Sequence, residues 1–159
     1  MKVNKILIAV DDNKYAEHAA EVGFDMAQLF GAEVGLVSIV EPLIFPESST
    51  DVITGLPVES VNVDEAELIK IQSESAENTI QQTIKKFAGD RKITQFTEYG
   101  STADGILKCS AEFNADLIVV GTHNRTGLNR LLMGSVAEHV VRHSHVPVLV
   151  VPLRESESQ

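Results

Sequence analysis

Cysteine is almost missing from this chain: Cys109 is the only one in 159 residues. An internal disulfide and a cysteine-based zinc cluster are therefore excluded. Cys109 itself is expected to pack beside a helix rather than to react. No apolar run reaches the length of a membrane span, so no membrane insertion is expected. Met1 to Lys5 leads directly into an apolar strand with no signal-peptide core, and a cytoplasmic location is the default expectation. Basic charge is scarce, with 13 Lys and Arg against 23 Asp and Glu and a net charge of −10. Such a field repels nucleic acid and anionic membranes, so neither is an expected partner. Any anion site must then be built locally, from backbone donors and a few cations. Three motifs are also absent. There is no G-x-x-x-x-G-K-[ST] phosphate loop, no G-x-G-x-x-G dinucleotide fingerprint and no G-x-S-x-G nucleophile elbow. No catalytic residue is expected.

What remains reads as a globular domain. Hydrophobic residues make up 43% of the chain and charged residues 23%, enough for a substantial core over residues 1–153. Residues 154–159 form a polar tail. Lys5 to Val10 is a continuous apolar run, expected as a central strand. Asp11-Asp12-Asn13 ends it and caps a helix from Lys14 to Phe30, with Ala16, Ala20, Phe24 and Ala27 on one face and Gly31 at its end. Val34 to Val40 is the second strand. Residues 41–63, rich in proline and serine yet carrying Leu43, Ile44 and Phe45, break the pattern. They are either a lid over a ligand or an insertion without regular structure. Asp64 caps a long helix to Phe87, with Glu67 in capping-box spacing. Its buried stripe is Ile69, Ala76, Ile80, Ile84 and Phe87, and its charged, glutamine-rich face is read as solvated. A less apolar strand, Ile93 to Glu98, belongs near a sheet edge. A helix from Ala103 to Phe113 follows, with Ile106, Leu107 and Ala111 inward. A last strand, Val146 to Val151, contains Pro147 and fits an edge position.

The organising stretch is Leu117 to Val136. Leu117 to Val120 is a buried strand and Gly121 stops it. After a polar loop, Gly134-Ser135 opens a helix with Val136, Val140 and Val141 as its apolar positions. Strand, glycine loop and helix start is an arrangement that holds phosphate, because glycine admits close approach and the helix start offers free N–H groups. It is also an ordinary strand-to-helix connection.

Strands and helices alternate through the chain, which implies a parallel sheet with helices on both faces. Right-handed crossovers then suggest a single doubly wound α/β domain with five strands in the order 3-2-1-4-5. Its switch point falls between strands 1 and 4, where ligands of open α/β sheets bind. Asp11 and Gly121 both end up beside that crevice.

These residues resemble the universal stress protein family over essentially the whole length. The most specific pieces are Ile6-Leu-Ile-Ala-Val-Asp11, Ala115-Asp-Leu-Ile-Val-Val-Gly121, Gly134-Ser135 and Val146-Pro-Val-Leu-Val-Val-Pro152. The resemblance implies a Rossmann-like, adenine nucleotide alpha hydrolase-like fold. ATP-binding members of that family share G-x2-G-x9-G-[ST]. Here Gly121 and Gly134-Ser135 match, and Asn124 stands at the middle glycine. Asparagine tolerates the left-handed region best among non-glycine residues, so the loop shape can survive. By position, the resemblance assigns adenine and ribose contacts to Ala9, Asp11, Ile39 and Val120. It assigns phosphate contacts to backbone groups of Gly121, Thr122, Asn124, Gly134, Ser135 and Val136. Beside them, His123 would contact a phosphate or else face solvent, and Arg125 and Arg130 would offset phosphate charge or else be solvated. Asp11 would accept from ribose hydroxyls, or else cap the first helix. Ser135 would donate to a phosphate, or else cap its own helix. The implied ligand is ATP, or AMP or ADP, with Mg2+ as an accompanying cation. The implied partner is a second copy, paired through Val148 to Val151.

His139 and His143 are four apart on one helix face, a spacing that can bind metal. No carboxylate or cysteine joins them at recognisable spacing, so no metal site is expected. Three alternatives stay open: a nucleotide-independent dimeric stress module, a slow ATP hydrolase using Asp11 and Asp12, and a carrier of another ligand.

Overall fold

The computed structural model describes residues 2–43, 64–122 and 133–153. Most of the 41–63 connection, the loop residues His123, Asn124, Arg125 and Arg130, and the tail 154–159 lie outside the described residues.

Five parallel strands are present: β1 (Lys5–Ala9), β2 (Glu33–Val40), β3 (Ile93–Tyr99), β4 (Leu117–Gly121) and β5 (Val148–Val151). They lie in the order β3-β2-β1-β4-β5, as the alternation of elements requires. Ile8 pairs with Leu36 on one side and Val119 on the other, so the three apolar strands form the centre. Side chains alternate between the two faces. Ile6, Ile8, Val34, Leu36, Leu117 and Val119 pack with α1 (Lys14–Phe30) and α2 (Glu65–Thr83). Leu7, Val37, Ile118 and Val120 pack with α3 (Thr102–Phe113) and α4 (Ser135–His143). Each fully buried Ile or Leu in these layers contributes roughly 1.5–3 kcal/mol.

Local chemistry sets the helix ends. Asn13 Oδ1 accepts from the N–H groups of Tyr15 (3.0 Å) and Ala16 (2.9 Å), so Asn13, not Asp11, caps α1. Gly31 closes it in the left-handed region, φ 64°. Asp64 caps α2 through the Ala66 N–H. The expected helix to Phe87 does not stay α-helical throughout. Ile84–Ala88 forms a π-helical turn, and this wider turn accompanies the stacking of Phe87 on Phe24 at 5.9 Å.

Two inward assignments and one strand boundary change. Ala111 is exposed while Cys109 and Ser110 are buried. Val141 is exposed, and Ala137 takes the inward position beside Val140. Pro147 lies before β5 rather than inside it. Having no N–H, it contributes its carbonyl, which accepts from Ile118 N–H at 3.0 Å. No described helix is long and apolar enough to cross a membrane.

Candidate nucleotide-binding cavity

A cavity of about 730 Å³ opens at the carboxyl ends of β1, β2 and β4. That volume is within the range of small-molecule sites. Nine of the residues expected from sequence line it: Ala9, Asp11, Ile39, Val120, Gly121, Thr122, Gly134, Ser135 and Val136. They come from four separate segments, brought together by the strand order. His123, Asn124 and Arg125 lie outside the described residues.

The floor is apolar. Val37 and Val120 are buried at 1% and 2% exposure, and half-buried Ile39 packs beside them. Ile39 has room because Gly105 on α3 lacks a side chain: a Cβ there would meet Ile39 Cδ1 at 2.5 Å. The rim is polar and acidic, with Asp11, Asp12 and Glu41. The described lining contains no lysine, arginine or histidine. An anion entering here must therefore rely on N–H groups, a metal ion or groups beyond the described lining.

Asp11 follows β1, whose pairing runs one residue further through Val10 N–H to Val37 O at 2.9 Å. Its carboxylate accepts from Asp12 N–H (2.8 Å) and Asn13 Nδ2 (3.0 Å) and remains exposed at the rim. Each of its oxygens keeps a further lone pair for a ligand.

Gly121 has a clear steric cause. A Cβ at this position would lie 2.7 Å from Tyr15 O and 2.9 Å from Tyr15 C. The end of β4 therefore abuts the backbone of the first turn of α1. Thr122 is then tied to β5 by its N–H to Val151 O at 3.1 Å.

Three helices begin at the cavity. At α1, Asn13 fills the first turn. At α3, the Glu41 carboxylate accepts from Thr102 N–H at 3.3 Å and from the Thr102 hydroxyl. At α4, the N-cap position is Gly134, which has no side chain to cap the turn. Ser135 is the first helical residue rather than the cap, so its capping alternative falls. Gly134 has φ −56° and ψ 158°, accessible to any residue; it contributes an absent side chain, not a rare backbone shape.

Sequence reasoning missed one wall. Gln72, Ser75 and Thr79 of α2 line the cavity, on a helix whose glutamine-rich side was read as solvated. Their spacing of three and four, flanking buried Ala76, was the available signal.

Ligating side chains gather in one other described place, where Glu98, Cys109 and Glu112 approach. Lys108 Nζ pairs with Glu98 there at 2.8 Å. Burial, with smaller contributions from Glu98 and Glu112, pushes the Cys109 thiol up to about 11, so it stays protonated at neutral pH. On α4, His139 and His143 stack at 4.2 Å, and His139 Nε2 lies 3.2 Å from Asp104.

Comparison with known proteins identifies this arrangement. The sequence pattern of the universal stress protein family matches residues 2–152. The universal stress protein MJ0531 of Methanocaldococcus jannaschii is 35% identical over 155 residues, 96% of this chain and 84% of that protein. The solved structure of protein MJ0577 superposes with a TM-score of 0.75 at 27% identity, covering 98% of this chain and all of that one. A universal stress protein of Archaeoglobus fulgidus, solved in complex with dAMP, has a TM-score of 0.60 at 21% identity over 94% and 98% of the two chains. A further universal stress protein structure, in complex with cAMP, has a TM-score of 0.58 at 18% identity over 97% and 100% of the two chains. These last two show a shared fold.

Proposed function

The chain belongs to the universal stress protein family, and from that premise we propose that it binds an adenine nucleotide, ATP or its shorter forms AMP and ADP, in the cavity over β1, β2 and β4. The observation that carries this reading is the convergence of nine expected residues on one cavity, with a glycine at the N-cap of α4. Two structures of the same fold are complexes with dAMP and cAMP.

The apolar floor at Ile39 and Val120, with Ala9, suits a planar base. The exposed Asp11 carboxylate suits ribose hydroxyls. The first-turn N–H groups of Ser135 and Val136, with the Ser135 hydroxyl, suit phosphate. Gly134 keeps that approach clear, and Gly121-Thr122 leads into the segment carrying His123, Asn124 and Arg125. The carboxylates of Asp11 and Asp12 are hard oxygen ligands of the kind Mg2+ takes beside phosphates. The role is regulatory, as a stress-response protein that reports nucleotide occupancy.

The protein is expected to release an adenine nucleotide on denaturation, or to bind added ATP with micromolar affinity in calorimetry. A folded Gly134→Glu variant should lose that binding by about a hundredfold or more, since its carboxylate would stand at the phosphate position. Unchanged affinity in that variant would remove the phosphate assignment. An empty wild-type protein with no heat of binding would leave a nucleotide-independent module.

We also propose a homodimer through β5. Val148, Leu149 and Val150 are only half-buried on the open edge of the sheet, and an apolar edge of this kind calls for a partner. Sedimentation at micromolar concentration should give twice the 17.3 kDa chain mass. A monomer would end this part of the proposal.

A further inference from the structure

The wall formed by α2 carries a feature that the shared nucleotide contacts do not use. Gln72, Ser75, Ala76 and Thr79 occupy one face of the helix and turn toward the cavity. Further along, the inward positions become apolar with Ile80 and Ile84. Among the described residues, Gln72 Oε1 is the buried side-chain polar atom without a hydrogen-bond partner. Such an atom is costly unless something donates to it. Thr79 does not, because its hydroxyl donates to Ser75 O at 3.0 Å. The same cavity holds the apolar floor of Val120 and Ile39, fit for a flat ring.

We propose that Gln72 is a specificity-determining residue whose side-chain carbonyl accepts a hydrogen bond from the exocyclic amine of the bound base. This rests on the adenine-nucleotide reading of the cavity. An amino-substituted ring satisfies the orphan acceptor. A ring with a carbonyl at that position sets two acceptors against each other, and a site built to pair one donor rejects the ligand that lacks it. Rotation of the amide would present Nε2 instead, so an acceptor-only side chain separates the two orientations.

The experiment compares ATP with inosine triphosphate, which carries a carbonyl where adenine carries its amine. The wild-type protein should prefer ATP by about tenfold or more. Gln72→Leu should bring the two affinities within about twofold, chiefly by weakening ATP. Gln72→Glu, which keeps only acceptors, should restore the preference whatever its added charge does to both affinities. Without ligand, Gln72→Leu should melt no lower than wild type, since it removes an unpaired acceptor from the wall. A wild-type protein that binds ATP without preference, or a Gln72→Leu variant that keeps the preference, overturns this proposal and leaves the nucleotide reading standing. A wild-type protein that binds neither triphosphate overturns both.

Discussion

Helices α1 and α4 both begin at the cavity, yet their first turns are finished in opposite ways. At α1, Asn13 accepts from two backbone N–H groups, and Asp11 holds Asn13 Nδ2 and Asp12 N–H. At α4, Gly134 offers no side chain, so the N-cap position supplies no acceptor. At α3 the N-cap Ser101 makes no side-chain cap bond, and the distant Glu41 carboxylate accepts from the Thr102 N–H instead. A cap stabilises its helix and occupies the donors it reaches. An uncapped turn leaves its helix less stable but keeps its donors for a ligand. Among the described residues, then, side chains accept from the first turns of α1 and α3 while the N-cap of α4 supplies no acceptor, and on the proposed reading the phosphate takes that place.

The largest test of this contrast is Gly121→Ala, which attacks the contact between the two regions. Its methyl group would press on the Tyr15 backbone at 2.7 Å, which no side-chain rotation relieves. A loss on the order of 3 kcal/mol in urea unfolding is expected. A loss under about 0.5 kcal/mol would mean that α1 shifts freely and that the contact is not a constraint.

Asn13→Ala comes next. It should cost about 1 kcal/mol of stability and leave ATP affinity unchanged, because α1 donates inward to its own cap. A parallel loss of affinity in calorimetry would show that α1 also serves the ligand. Glu41→Gln should have the smallest effect. Stability should move by no more than about 0.5 kcal/mol, since a neutral amide oxygen can still accept from Thr102. Removing one negative charge from the rim should tighten ATP binding by about twofold at low salt, and less at high salt. A weakening would make Glu41 a direct contact of the nucleotide.

Much of this architecture was legible in the chain itself. Alternating apolar runs and amphipathic stretches led to the strand order, because parallel strands must be joined by covering helices. That order also places Asp11 and Gly121 side by side, and the other expected cavity residues came from the resemblance to the universal stress protein family. What stayed hidden depends on contacts between distant segments. Gly121 looked like a concession to an anion, while its nearest constraint is the backbone of Tyr15. Gln72 sits among Gln81 and Gln82, which are exposed. Nothing in residue type distinguishes the one that faces a cavity. The assignment of Val141 inward failed because a short helix has a narrow buried stripe, and Ala137 fills it with Val140.

The Tyr15 contact also bears on how the glycine pattern should be read across descendants of such a chain. If binding were abandoned, position 134 would have no conformational reason to stay glycine, since its backbone suits any residue. Position 121 would stay locked by the fold. Retention of the first glycine thus records the fold, whereas on the proposed reading retention of the last records the ligand.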